Sequence, residues 1–289
     1  MDDASAAGRI VTEQEKRKMP YVTVNGVRLN YELHGESGEP LVFVHGYTGD
    51  LTDWRQQLPA FSQSFRVLIV DNRGHGQSEA PADRSTYSVE HVADDTEALV
   101  DELGIGRYHL LGHSMGGAVV QEIALRSADR LLSLTLHDTT DDFSAAASNP
   151  AIAAYRDFRF NLAESQGMAA VANAVSPFPP PPHMPAERLE ETRIRMSKMS
   201  TDAFIGAWNG LEQWQGARDR AARIKARTLV IYGDLDAEFL IKGSQRLAAT
   251  IPDAELSVIP EAAHQPQWER PQLYNEALGA FLNKASEER

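Results

Sequence analysis

Gly112-His113-Ser114-Met115-Gly116 holds a serine between two glycines, after the largely apolar run 107–112 and before a helical pattern over 115–128. This is the G-x-S-x-G arrangement, in which a sharp strand-to-helix turn lifts a serine hydroxyl above a sheet. Small residues two positions to either side let strand and helix approach, and Gly117 relieves further crowding. The turn sets the Ser114 hydroxyl at a helix N-terminus, where the Met115 amide points toward an incoming oxyanion. Attack on an acyl carbon is the chemistry expected of such a hydroxyl.

That hydroxyl needs a general base, and neutral imidazole is the usual one. Of nine histidines, His264 is the best placed. It follows the strand pattern 255–259 through a short loop and precedes the last helix, so it falls at the same end of the sheet as Ser114. A carboxylate must then orient the imidazole. Gly233-Asp234-Leu235-Asp236, after strand 228–232, offers two, of which Asp236, farther past the strand end, is preferred. Asp138 competes because it ends strand 131–136; otherwise it caps the next segment or hydrogen-bonds loop backbone. His45-Gly46-Tyr47-Thr48-Gly49 follows strand 41–44 and sets the Tyr47 N–H as a second oxyanion donor, leaving its side chain free to shape a pocket.

The elements that must position these residues are legible as patterns. Tyr21-Val-Thr-Val, Asn25-Gly26 and 27–32 predict a β-hairpin. Continuous apolar runs at 41–44 and 67–70 predict strands buried on both faces. A helix over 89–103 has Ser88 as its N-cap. Strand 107–112, helix 115–128 and strand 131–136 then form a βαβ unit, which implies a parallel sheet. The rhythm returns as strand 228–232, helix 239–250, strand 255–259 and helix 271–284. The fold class is α/β: a mostly parallel sheet with helices on both faces.

Residues 139–225 lack apolar strand runs and predict a helical lid between two core blocks, 20–138 and 226–289. Pro177, Phe178, Pro179 to Pro182 and Pro185 read as a stiff spacer between lid helices. Most of the lid's large side chains pack it onto the core. Phe143, Trp208 and Trp214, with Tyr47, are candidates to line an apolar substrate pocket. Residues 1–19 mix acids and bases with few large apolar side chains and are expected to form a mobile extension.

Composition narrows the function further. The 289 residues carry 28 Lys and Arg against 41 Asp and Glu, a net charge of −13 that disfavours nucleic acid and anionic membrane surfaces. Having no cysteine removes thiolate nucleophiles and thiolate-bound metals. No G-x-G-x-x-G after a strand, P-loop or helical zinc spacing occurs, so neither cofactor nor metal is expected. No apolar run approaches the roughly 18 residues of a membrane span, and a cytoplasmic location is the default expectation. Oligomeric state leaves no sequence signal.

With these motifs in place, residues 20–285 resemble a lid-bearing α/β-hydrolase of the esterase, lactonase and haloperoxidase-like group. The likeness rests on His45 to Gly49, Asp71-Asn-Arg-Gly-His-Gly-Gln-Ser78, Gly112 to Gly117, Gly233 to Asp236 and His264, in the chain order Ser114, Asp236, His264. It implies that Arg73 and His75 are scaffold and that His113 packs rather than reacts. Haloalkane dehalogenases and epoxide hydrolases resemble the fold but place Asp where Ser114 stands. The resemblance thus implies a cofactor-independent serine hydrolase for a small or medium carboxylic ester or lactone. Carbon–carbon bond hydrolysis, perhydrolysis on the same residues, and a small-molecule receptor are the alternatives.

Overall fold

Asn25 and Gly26, both at positive φ (48° and 76°), turn the chain between β1 (Tyr21–Val24) and β2 (Val27–His34), the two-residue hairpin its sequence predicts. The structure is a computed structural model that describes residues 21–176 and 180–287. The expected extension over 1–19 and Pro177, Phe178 and Pro179 of the proline run lie outside the described residues.

β3 (Glu39–Val44), β4 (Phe65–Val70), β5 (Tyr108–His113), β6 (Leu131–His137), β7 (Thr228–Gly233) and β8 (Ala254–Ile259) complete an eight-stranded sheet in the order β1-β2-β4-β3-β5-β6-β7-β8. The first two pairings are antiparallel and the rest parallel. β3 and β4 each begin two residues before their apolar runs. Glu39 pairs with Phe65 and Pro40 with Arg66, so the ladder continues where charged residues interrupt the hydrophobic pattern.

Period-two alternation sorts the strands' side chains onto two apolar faces. Val42, Val44, Leu68 and Val70 join the cluster under helices Val89–Glu102, Met115–Arg126 and Glu238–Thr250. Leu41, Phe43, Val67 and Ile69 join the other, with Trp54, Phe61 and the Tyr274, Leu278 and Phe281 face of helix Pro271–Glu287. Ser88 Oγ accepts the His91 N–H and caps its helix.

Between β6 and β7 run helices Ser144–Ala147, Pro150–Gln166, Met168–Asn173, Ala186–Lys198 and Thr201–Gln213. They are pinned to the core by charge as well as by apolar contact. Arg188 and Arg195 reach Asp53, the latter at 2.7 Å, and Arg195 also reaches Asp50 at 2.9 Å. Trp268 lies 4.4 Å beneath the Arg188 guanidinium and donates its Nε1–H to the Asp53 carbonyl. Burial works to raise the Asp53 pKa, but the two guanidiniums overcome it and hold the group ionised. No described helix is long and apolar enough to cross a membrane.

Candidate active site

The parallel strands β3, β5, β6, β7 and β8 lie side by side, so the turns leaving their carboxyl ends meet over one edge of the sheet. Register sets the alignment: Val44 pairs with Gly112, His113 with His137, and Gly233 with Ile259. His45, Ser114, Asp138, Asp236 and His264 all sit on those turns.

Ser114 has φ 54° and ψ −115°, left-handed backbone that a non-glycine residue adopts only under constraint. The constraint is close packing. A Cβ on Gly116 would run into the carbonyls of Val44 and His45, so the turn and β3 approach only with glycine there. On the other side, a Cβ on Gly46 would come within 3.1 Å of Ser114 Cβ, which shows how tightly the 45–49 turn abuts the serine. That turn is held by His45, whose Nδ1 donates to the Gly46 carbonyl at 2.8 Å while Nε2 accepts the Asn72 N–H at 3.0 Å. Among the described residues, no hydrogen bond occupies the Tyr47 or Met115 amides.

His264 Nε2 lies 3.0 Å from Ser114 Oγ, and Nδ1 lies 3.0 Å from Asp236 Oδ2. With Nδ1–H donating to the carboxylate, Nε2 is free to accept the serine proton. Partial burial opposes a charge on the ring, but Asp236 outweighs it and raises the His264 pKa above the ordinary 6.5. Burial likewise works to raise Asp236, yet His264 and the Ala237 amide hold its pKa below the usual carboxylate value. Asp234 is exposed, and its N–H spans to the Ile259 carbonyl at the sheet edge.

Asp138 is fully buried at φ 43°. Its Oδ1 accepts the Gly233 N–H at 3.0 Å, and Oδ2 lies 3.0 Å from His137 Nε2. Burial, then the charge of Asp236, push its pKa well above the ordinary carboxylate value. Asp138, Asp236 and His264 each bring one atom within 4.8 Å of the others, so they have the spacing of a cation site too. A cation there would compete with the His264–Asp236 hydrogen bond.

Histidines gather behind the serine without sharing its chemistry. His113 lies tilted against His137, ring centroids 4.6 Å apart, and its Nε2–H donates to the His264 carbonyl, 2.8 Å away. Burial takes its pKa down to about 3 and that of His75 to about 3. Arg73 is locked in a buried two-point pair with Asp95, at 2.7 Å on each arm.

A mostly apolar cavity of about 290 Å³ lies beside these residues, bounded by Tyr47 at one turn and Ala237, next to Asp236, at another. Tyr47 and Trp208 line it, 5.3 Å apart between ring centroids. Phe143 and Trp214 do not. They pack on each other within the core cluster, and Trp214 Nε1 donates to buried Glu122 at 2.7 Å, so an internal acid rather than a ligand claims that indole. Phe160, Phe204, Phe239 and Arg159 line the cavity instead. Phe160 and Arg159 share the helix Pro150–Gln166, but its apolar pattern gives little indication of which face turns inward.

With this geometry established, comparison with known proteins gives one consistent answer. A family model described as alpha/beta hydrolase fold matches residues 39–170. The "Putative carbamate hydrolase RutD" of Caulobacter vibrioides is 30% identical over 284 residues, covering 93% of this chain and 100% of that protein. The dihydrolipoyllysine-residue acetyltransferase component of the acetoin cleaving system of Pseudomonas putida is 33% identical, over 88% of this chain; the chain spans 66% of that longer protein. Among solved structures, an enol-lactonase from Burkholderia xenovorans LB400 superimposes with a TM-score of 0.78 at 29% identity, covering 91% of this chain and 100% of that one. The chain belongs to the α/β-hydrolase fold family.

Proposed function

We propose that this protein is a serine hydrolase that cleaves a small or medium carboxylic ester or lactone through an acyl-enzyme on Ser114. The carrying observation is the continuous relay from Asp236 through His264 to Ser114, with 3.0 Å at each step. Likeness to an enol-lactonase supports the same bond class.

In this reading Ser114 Oγ attacks the carbonyl carbon while its proton passes to His264 Nε2. The carbonyl oxygen takes up the negative charge and accepts hydrogen bonds from the Tyr47 and Met115 amides. Asp236 keeps Nδ1–H in place and stabilises the imidazolium. The protonated His264 then gives its proton to the leaving alkoxide, and the C–O bond breaks. Water, deprotonated by His264, attacks the acyl-enzyme; collapse releases the acid and returns the proton to Ser114. The helices between β6 and β7 serve as the lid of the site, and Asp138 acts as an internal support rather than as the orienting acid.

Treatment with a fluorophosphonate, followed by peptide mass analysis, tests the nucleophile. One adduct on the peptide bearing Ser114, absent in Ser114→Ala, is expected. Equal labelling of both proteins elsewhere would refute the assignment.

A further inference from the structure

Two guanidiniums reach the apolar cavity from one face of helix Pro150–Gln166, those of Arg156 and Arg159. Their surroundings differ. Arg156 is already neutralised, by Asp157 at 2.8 Å and by Glu212, which also accepts the Trp208 Nε1–H. Arg159 has no carboxylate partner among the described residues. Its Nη2 meets only the Met196 thioether, at 3.1 Å, a weak acceptor. Its Nε is buried without a hydrogen-bond partner, and its plane rests 4.8 Å from the Phe204 ring and 5.4 Å from that of Tyr155.

A guanidinium carries five donors in a rigid fork that fits a carboxylate at two points. Leaving such a fork unmatched is costly, and here 41 acidic residues were available to match it. The aromatic rings position the fork without satisfying it. Walls such as Phe160, Phe204 and Trp208 are apolar, and an ion pair formed beside them is screened less than one in open solvent. The cavity adjoins the relay through two of its lining residues: Tyr47 follows Gly46 on the turn that abuts Ser114, and the Ala237 N–H binds the Asp236 carboxylate.

We propose that Arg159 anchors a carboxylate on the substrate, so that the ester or lactone cleaved at Ser114 carries an acyl chain ending in an anionic group. This rests on the cavity serving the site assigned to Ser114. At about 290 Å³ the cavity lies near the lower bound of small-ligand sites, about 300 Å³, which suits a short chain with a charged end.

The test compares two p-nitrophenyl esters of equal acyl length, the hemiglutarate with a terminal carboxylate and the pentanoate with a terminal methyl. The parent protein should favour the hemiglutarate in kcat/KM, chiefly through KM. Arg159→Gln should reduce that preference, read as the ratio of the two kcat/KM values within one protein, by about 10- to 100-fold, and Arg159→Lys should keep part of it. No preference in the parent, or an equal loss on both esters in Arg159→Gln, would overturn the proposal.

Failure of the serine mechanism is separable from failure of the anchor. In Ser114→Ala, titration with monomethyl glutarate should change Trp208 emission saturably, methyl pentanoate should not, and adding Arg159→Gln should abolish the response. Identical behaviour of the two ligands, or a response that survives Arg159→Gln, would overturn the anchor whatever the nucleophile.

Discussion

Asp138 and Asp236, just past the ends of adjacent strands β6 and β7, bring carboxyl oxygens within 4.8 Å of one another beneath His264. Two buried acids this close do not both ionise near neutral pH. Burial, then the charge of Asp236, raise the Asp138 pKa well above the ordinary value, whereas that of Asp236 is lowered, so of the two Asp138 holds a proton more readily. Asp138→Asn should therefore keep kcat on p-nitrophenyl butyrate within about tenfold, because a neutral amide still accepts the Gly233 N–H and tolerates positive φ. Asp236→Asn should lower kcat by about 10,000-fold. The reverse ranking would transfer the orienting role to Asp138.

The pH–rate profile carries a second prediction. His264 must be neutral to take the serine proton, and Asp236 raises its pKa above 6.5. The acid limb of kcat/KM should thus lie above pH 6.5, with activity rising as pH rises through it. In Asp236→Asn the residual activity should show that limb at lower pH. A limb that stays in place in the variant would detach it from the His264–Asp236 pair.

Stability should respond to pH in the opposite sense across the same range. His264 has a folded pKa raised above 6.5, so its stabilising contribution is complete below pH 6.5 and is lost as pH rises through the folded value. His75 and His113, held neutral down to about 3, act the other way. Once the unfolded chain's imidazoles protonate below 6.5, each contributes a loss of about 1.4 kcal/mol per pH unit. Urea unfolding at several pH values should show maximal stability near pH 6.5 and a steep fall by pH 5. A flat profile from pH 7 to 5 would contradict the burial assigned to these rings.

Asp53 links the core to helix Ala186–Lys198 through Arg188 and Arg195. Replacing it with alanine strands a guanidinium that is 2% exposed, at a cost of about 3–5 kcal/mol. Urea denaturation of Asp53→Ala reads this directly. A loss under about 1 kcal/mol would mean that apolar contacts alone hold the helix down.

What the sequence makes legible follows from what each residue needs. Ser114 is recognisable because its backbone demands small neighbours at fixed offsets, and that demand is written locally as Gly112 and Gly116. His264 is recognisable because it follows the strand that becomes β8. The Asp53–Arg188 pair has no such signature: its partners are 135 residues apart, and charges on a helix ordinarily face water. The cavity is equally hidden. Trp214 and Trp208 are alike in sequence, and only packing sends one to Glu122 in the core and the other to the cavity wall. Arg159 is conspicuous only through the absence of an acid beside it among the described residues, which is a property of three dimensions.

The most direct test is p-nitrophenol release from acetate, butyrate and octanoate esters by the parent protein and by Ser114→Ala, with thermal unfolding confirming that both are folded. Turnover by the parent and a loss of several orders of magnitude in the variant is the predicted result. Equal turnover by the two proteins would contradict the acyl-enzyme on Ser114.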